Sequence, residues 1–212
     1  MKAPFPGGVY ALTPPEADTD RLLARVQAAL EGGVSALQYR DKTGDVALRH
    51  AQASELLPLC RSHGVPLIIN DDLRLADLVG ADGVHLGAED ARLAEARIIL
   101  GTDKYIGISC YQSLQLAQEA EAGGADYVAF GSFYPSPSKP QAPRAPLELL
   151  RAARAILHLP IIAIGGITSR NAPALLDGGA DALAVISAVF DAPDPRLAAM
   201  QLNALFAWES ED

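Results

Sequence analysis

Four related segments limit what this 212-residue chain can become: Gly32-Gly33-Val34-Ser35, Gly80-Ala81-Asp82-Gly83, Gly124-Ala125-Asp126-Tyr127 and Gly179-Ala180-Asp181-Ala182. Each carries glycine suited to the left-handed turn that ends a helix, and each leads straight into a short apolar run. Eight such runs are read along the chain: Val9 to Thr13, Ala36 to Arg40, Pro66 to Asn70, Gly83 to Gly87, Tyr105 to Ser109, Tyr127 to Ser132, Pro160 to Gly165 and Ala182 to Ser187. Most are nearly continuous in apolar residues, as parallel strands buried on both faces must be. Between them lie helical stripes, Leu22, Val26 and Leu30 behind an N-cap at Asp18 or Thr19, and Leu149, Leu150, Ala153, Ile156 and Leu157 later on. The repeat precedes every even-numbered run, so the unit is a βαβα pair used four times. That pattern predicts one α/β domain over residues 1–212, a (β/α)8 TIM barrel, rather than an open doubly wound sheet. No Gly-x-Gly-x-x-Gly follows the first strand, which speaks against a dinucleotide site.

Seventeen lysines and arginines against twenty-six aspartates and glutamates give a formal charge of −9. Nucleic acid and anionic membrane are therefore excluded as expected partners, and any anionic ligand must be held by a local cluster of cations. No apolar run of about 18 residues and no secretory pattern at Met1 to Gly8 are found, so a cytoplasmic chain is expected. Homo-oligomer formation is left open. Cys60 and Cys110 lack metal-type spacing and are expected to be free thiols.

In such barrels the chemistry lies at the carboxyl ends of the strands, and here those ends are polar. Gln38, Arg40 and Lys42 alternate after strand two, so an extended backbone points all three heads one way, a grip for a diphosphate or other polyanion. The competing assignment pairs Arg40 and Lys42 with Asp41 or Asp45 on a solvated loop. Asp71 and Asp90 close neighbouring strands and suit a hard divalent cation, magnesium best, with phosphates and water completing its octahedron. Both aspartates are alternatively helix N-caps, the role favoured for Asp72. Ser136, Ser138 and Lys139 lie in a proline-stiffened loop that reads as a lid, and Gly165-Gly166 with Ser187 offers a second phosphate site at the last two strands. His50, His63 and His158 read as surface residues, and His85 as a packed, hydrogen-bonded core residue before a site residue. Cys110 and Tyr111 are left between packing and pocket.

Together Gln38-Tyr39-Arg40-Asp41-Lys42, Asn70-Asp71-Asp72, His85-Leu86-Gly87-Ala88-Glu89-Asp90, Gly107-Ile108-Ser109, Ser136-Pro137-Ser138-Lys139, Ile164-Gly165-Gly166-Ile167 and Val185-Ile186-Ser187 resemble the thiamine-phosphate synthase family over nearly the whole chain. The resemblance implies a transferase that couples 4-amino-2-methyl-5-hydroxymethylpyrimidine diphosphate to a thiazole phosphate or its carboxylate, releasing diphosphate by a dissociative displacement. It implies that Gln38, Tyr39, Arg40, Asp41, Lys42, Asn70, Ser109 and Lys139 bind the pyrimidine diphosphate. Of these, Arg40, Lys42, Ser109 and Lys139 carry the catalysis. Asp71 and Asp90 would hold Mg²⁺, while Ser136, Pro137, Ser138, Gly166, Ile186 and Ser187 take the thiazole phosphate. The family's lid often reads Thr-x-Thr-Lys, and serine lacks the methyl that restricts threonine. A thiazole tautomerase or a non-catalytic phosphate-binding barrel is the alternative, and neither needs the diphosphate grip.

Overall fold

A computed structural model describes residues 2–87, 93–136, 141 and 143–206. Eight parallel strands close in sequence order into one barrel: β1 (Gly8–Leu12), β2 (Ala36–Tyr39), β3 (Leu67–Asn70), β4 (Gly83–Leu86), β5 (Tyr105–Tyr111), β6 (Tyr127–Gly131), β7 (Ile161–Ile164) and β8 (Ala182–Val185). Around them run α1 (Thr19–Glu31), α2 (Val46–Ser62), α3 (Leu73–Val79), α4 (Leu93–Leu100), α5 (Leu114–Ala122), α6 (Glu148–Ile156), α7 (Ala172–Leu176), α8 (Ser187–Phe190) and α9 (Pro195–Asn203). The expected (β/α)8 architecture is present.

Strand alternation divides the interior into two cores. Val9, Ala11, Leu37, Tyr39, Ile69 and Val84 pack outward against the helices. Tyr10, Leu12, Ala36, Ile68, Tyr127 and Ile162 point into the barrel, which Phe5 plugs from its amino-terminal end. Phe5 stacks on Tyr127 at 4.0 Å between centroids. Asp18, rather than Thr19, caps α1, and its carboxylate accepts from the amide of Arg21 at 3.0 Å. In α6 the apolar stripe holds at Leu149, Leu150 and Ala153, but Ile156 is exposed because the helix ends there, clear of the sheet.

The repeated segments do more than turn the chain. Asp82, Asp126 and Asp181 each precede an even strand and reach back to the odd strand before it, where Oδ2 accepts from the amide of Leu67 (3.0 Å), Ile106 (2.7 Å) and Ile161 (2.7 Å). The aspartate's own amide donates to the carbonyl of that same residue. An arginine from the helix ahead of the odd strand closes each clamp: Arg61 on Asp82 (3.6 Å), Arg97 on Asp126 (2.9 Å) and Arg154 on Asp181 (2.8 Å). The first repeat has Ser35 instead, whose hydroxyl donates to the carbonyl of Val9 at 3.0 Å. These clamps pin the end of the barrel opposite the carboxyl ends, where stability rather than catalysis resides in this fold.

Candidate active site

A cavity of about 760 Å³ opens at the carboxyl ends of the strands. Gln38, Arg40, Asn70 and Ser109 border one side, and Gly165, Gly166, Ile186 and Ser187 the other, with Leu12, Ala129 and Ile162 beneath. An apolar floor under convergent polar groups orients a ligand while excluding water from it.

On the first side, β2 ends at Tyr39, so Gln38 and Arg40 face inward while Tyr39 faces the helices. The Tyr39 hydroxyl donates to Oε1 of Gln52 on α2 at 2.8 Å, and its side chain does not line the cavity. The Arg40 backbone is held by Thr13, whose Oγ1 accepts from the Arg40 amide at 2.8 Å. Its guanidinium makes no hydrogen bond or ion pair among the described residues and is available to an anion. Lys42 pairs with Asp71 at 3.5 Å, a partner from the neighbouring loop rather than Asp41 or Asp45. Asp41 turns back on its own loop and accepts from Thr43 Oγ1 at 2.6 Å, while Asp45 caps α2. Asp72 caps α3 as expected and also receives Arg49 at 2.7 Å.

Asp71 has φ of +64°, a left-handed conformation that only short polar side chains adopt with any frequency. Its amide donates to the carbonyl of His85 at 2.8 Å, which fixes the backbone next to Asn70 of the cavity lining. A hard oxygen donor, partly open to solvent and paired only loosely with Lys42, fits one of the one or two carboxylates that hold Mg²⁺ when phosphates and water supply the rest. Asp90, the second expected ligand, lies outside the described residues, as do Pro137, Ser138 and Lys139 of the lid. Among the described residues no group of three or more His, Cys, Asp or Glu side chains converges for a metal.

Under the cavity runs a chain of hydrogen bonds that sequence reading does not anticipate. Gln38 Nε2 donates to Tyr10 Oη at 2.8 Å, Tyr10 and Tyr127 share a hydrogen bond at 2.9 Å, Tyr127 Oη meets His85 Nδ1 at 3.1 Å, and His85 Nε2 meets Ser109 Oγ at 2.9 Å. Burial raises both phenols well above the ordinary tyrosine range, so they are neutral donors and acceptors. His85 is buried and hydrogen-bonded as expected of a core residue, yet it lines the cavity together with its partner Ser109. Cys110 is buried with its thiol pushed up to about 12 by desolvation, and Cys60 likewise. Both are free, as expected.

The second side is built by close approach of two loops. The Phe133 amide donates to the carbonyl of Ile164 (3.1 Å) and that of Tyr134 to Gly165 (3.0 Å). A Cβ at Gly165 would collide with Ser132 Oγ, and one at Gly166, where φ is +60°, with the carbonyl oxygen of Pro135. Asn171 braces the turn, its Nδ2 donating to Gly166 O at 3.0 Å and its Oδ1 accepting from Thr168 N at 2.8 Å. α7 therefore starts only at Ala172. The amides of Gly166 and Ile167 make no hydrogen bond among the described residues, and Ser187 opens α8 beside them.

A closed parallel barrel with a polar cavity at the carboxyl ends of its strands is the architecture of a barrel enzyme acting on a small molecule. A family profile described as Thiamine monophosphate synthase matches residues 9–189. The chain belongs to that family and is a transferase of thiamine biosynthesis. A thiamine-phosphate synthase of Thiobacillus denitrificans is 68% identical over 98% of this chain and 99% of its own, and one from an Azoarcus strain is 54% identical over 94% and 97%. The solved thiamine phosphate pyrophosphorylase of Pyrococcus furiosus superposes with a TM-score of 0.85 at 36% identity, covering 95% of this chain and 96% of that one. No described helix is long and apolar enough to cross a membrane.

Proposed function

We propose that this protein couples 4-amino-2-methyl-5-hydroxymethylpyrimidine diphosphate to a thiazole phosphate, or to its carboxylate with loss of carbon dioxide, yielding thiamine phosphate and diphosphate. The carrying observation is one cavity with the Arg40 guanidinium on one side and the amides of Gly166 and Ile167 on the other, none of them bonded among the described residues. Two phosphorylated molecules can thus be held apart at their anionic ends and together at their rings.

The carbon–oxygen bond between the pyrimidine methylene and the diphosphate breaks first, and its electron pair leaves with the diphosphate. Arg40, Lys42 and Lys139 bind that leaving group, which strengthens as an acceptor while its charge grows. Asn70 and Ser109 add neutral donors, and Gln38 meets the pyrimidine. The amino group of that ring feeds electrons into the developing cation, and the thiazole nitrogen then supplies the pair for the new carbon–nitrogen bond. Ser136, Ser138, Gly166, Ile186 and Ser187 would hold the thiazole phosphate so that nitrogen and methylene lie in line. The apolar floor of Leu12, Ala129 and Ile162 keeps out water, which would trap the cation. Mg²⁺, held by Asp71 with Asp90, would supply positive charge to the departing diphosphate. Asp41 keeps the loop bearing Arg40 and Lys42 in shape through Thr43.

Purified protein incubated with both substrates and Mg²⁺ is expected to form a product that oxidises to fluorescent thiochrome, with the signal abolished by chelator. Arg40→Ala is expected to lower kcat/KM for the pyrimidine diphosphate about 100-fold, the scale of one lost charge-stabilising donor. Absence of Mg²⁺-dependent thiochrome from folded protein would overturn the reading in favour of tautomerisation or binding alone.

A further inference from the structure

The chain beneath the cavity spans five strands, and its five members come from β1, β2, β4, β5 and β6. Both ends, Gln38 and Ser109, line the cavity, as do Tyr10 and His85, whereas Tyr127 lies wholly inside the barrel. Each phenol has one proton and, among the described residues, no hydrogen-bond partner beyond its neighbours in the chain. That condition determines a direction. Tyr10 Oη accepts from Gln38 Nε2, so its proton goes to Tyr127 Oη. Tyr127 then donates to His85 Nδ1. A neutral imidazole that accepts at Nδ1 carries its proton on Nε2, which donates to Ser109 Oγ. The Ser109 proton is left for the cavity, and Gln38 keeps Oε1 as its acceptor.

We propose that Tyr10 and Tyr127 are positioning residues that lock the amide of Gln38, the tautomer of His85 and the hydroxyl of Ser109 into one polarity, an acceptor at one end and a donor at the other. The barrel is built to hold this chain. Gly107 on β5 leaves the space that the Tyr127 ring fills, for a Cβ there would fall on its Cζ, Cε2 and Oη. Phe5 stacks on one face of Tyr127, and the Tyr10 ring meets it edge-on at 6.0 Å. A coherent chain of this kind presents its two ends without reorganisation when a substrate ring arrives, which is where prearranged dipoles act. Its value for coupling rests on the proposed function, but the polarity itself does not.

The test is the histidine tautomer, read by ¹⁵N NMR in substrate-free protein with His85 assigned by substitution. Wild type is expected to show Nε2–H. Gln38→Glu replaces the donor at the head of the chain with a carboxylate that only accepts, so every link reverses and His85 is expected to become Nδ1–H. In a Tyr10→Phe background the same replacement is expected to leave the tautomer unchanged, because the link is cut. An Nε2–H wild type that stays so in folded Gln38→Glu protein overturns the proposal, as does an equal response with and without the Tyr10 hydroxyl. Should Gln38→Glu not fold, Tyr127→Phe is read in its place: a mixture of tautomers is expected, and a pure Nε2–H signal overturns the proposal. None of these readouts depends on thiochrome formation, so a failed coupling assay and a failed tautomer assay remain distinct.

Discussion

Replacing Gly107 by alanine puts one methyl group where the Tyr127 ring lies. The position is ordinary strand with no positive φ, so the backbone accepts alanine and the whole effect is steric. The new Cβ would meet two ring carbons and the hydroxyl oxygen far inside the 3.4–4 Å of ordinary contact. Tyr127 cannot retreat, because Phe5 and Tyr10 pack against it and it is fully buried. Overpacking of this kind costs about 1–3 kcal/mol. The displaced hydroxyl also gives up its hydrogen bonds to Tyr10 and His85, each buried bond lost adding about 1 kcal/mol. A loss of about 3 kcal/mol follows, or a melting temperature lower by about 6–12 °C for a domain of this size. Calorimetry or denaturant titration measures it. The decisive comparison is the same substitution in a Tyr127→Leu background, where the ring is gone and the methyl should cost under about 1 kcal/mol. Costs equal within about 0.5 kcal/mol in the two backgrounds would refute the reasoning, since independent sites add and colliding ones do not.

Three further outcomes are expected. Asp71→Gly removes a left-handed side chain but loosens the unfolded chain, so stability should change by less than about 0.5 kcal/mol, while thiochrome formation falls about 100-fold; comparable losses of both would mean that Asp71 serves the fold. Gly166→Ala meets the Pro135 carbonyl and should raise KM for the thiazole phosphate at least about tenfold while leaving KM for the pyrimidine diphosphate within twofold, as steady-state kinetics would reveal. Burial raises the thiols of Cys60 and Cys110 to about 12, so the folded state binds more protons than the unfolded state above pH 9. Stability is therefore full below about pH 9 and falls as pH rises toward 12, each thiol contributing up to about 1.4 kcal/mol per pH unit. Replacing both cysteines with alanine should flatten that decline in alkaline denaturation curves, and native protein should not react with a thiol reagent at pH 8.

What was legible in the chain depended on periodicity and proximity. Continuous apolar runs alternating with helical stripes expose a barrel directly, and alternation within β2 puts Gln38 and Arg40 inward. The same alternation turns Tyr39 outward, against its inclusion among the binding residues by family motif. Proximity in sequence points Lys42 to Asp41 or Asp45, but β2 and β3 are neighbours, so Asp71 across the gap is the actual partner. The five-residue chain under the cavity has no spacing signature at all. Tyr10 and Tyr127 are 117 positions apart and meet only because the barrel closes. Gly107 was the available hint, an apolar strand giving up a side chain where a neighbour needs its volume.

The aspartate clamps show the same closure working at the other end, and they can be ranked. Asp126 receives the Ile106 amide, Arg97 at 2.9 Å and Lys2 at 2.7 Å, and it is the most sheltered of the three. Asp181 has the Ile161 amide and Arg154, with both side chains over a third exposed. Asp82 has the Leu67 amide and a looser Arg61 at 3.6 Å that is itself half-exposed. Charge-assisted bonds to buried amides contribute about 1.5–3 kcal/mol, and exposed ion pairs about 0–1. Alanine should therefore cost most at Asp126, about 3 kcal/mol, less at Asp181, and least at Asp82, with kcat within twofold of wild type in all three because the clamps lie across the barrel from the cavity. Asp126→Ser should cost less than Asp126→Ala, since Ser35 performs the equivalent task in the first repeat by donating to a carbonyl. Equal losses at all three positions, or a fall in kcat that tracks the fall in stability, would mean that the repeat shapes the mouth of the barrel and not only its base.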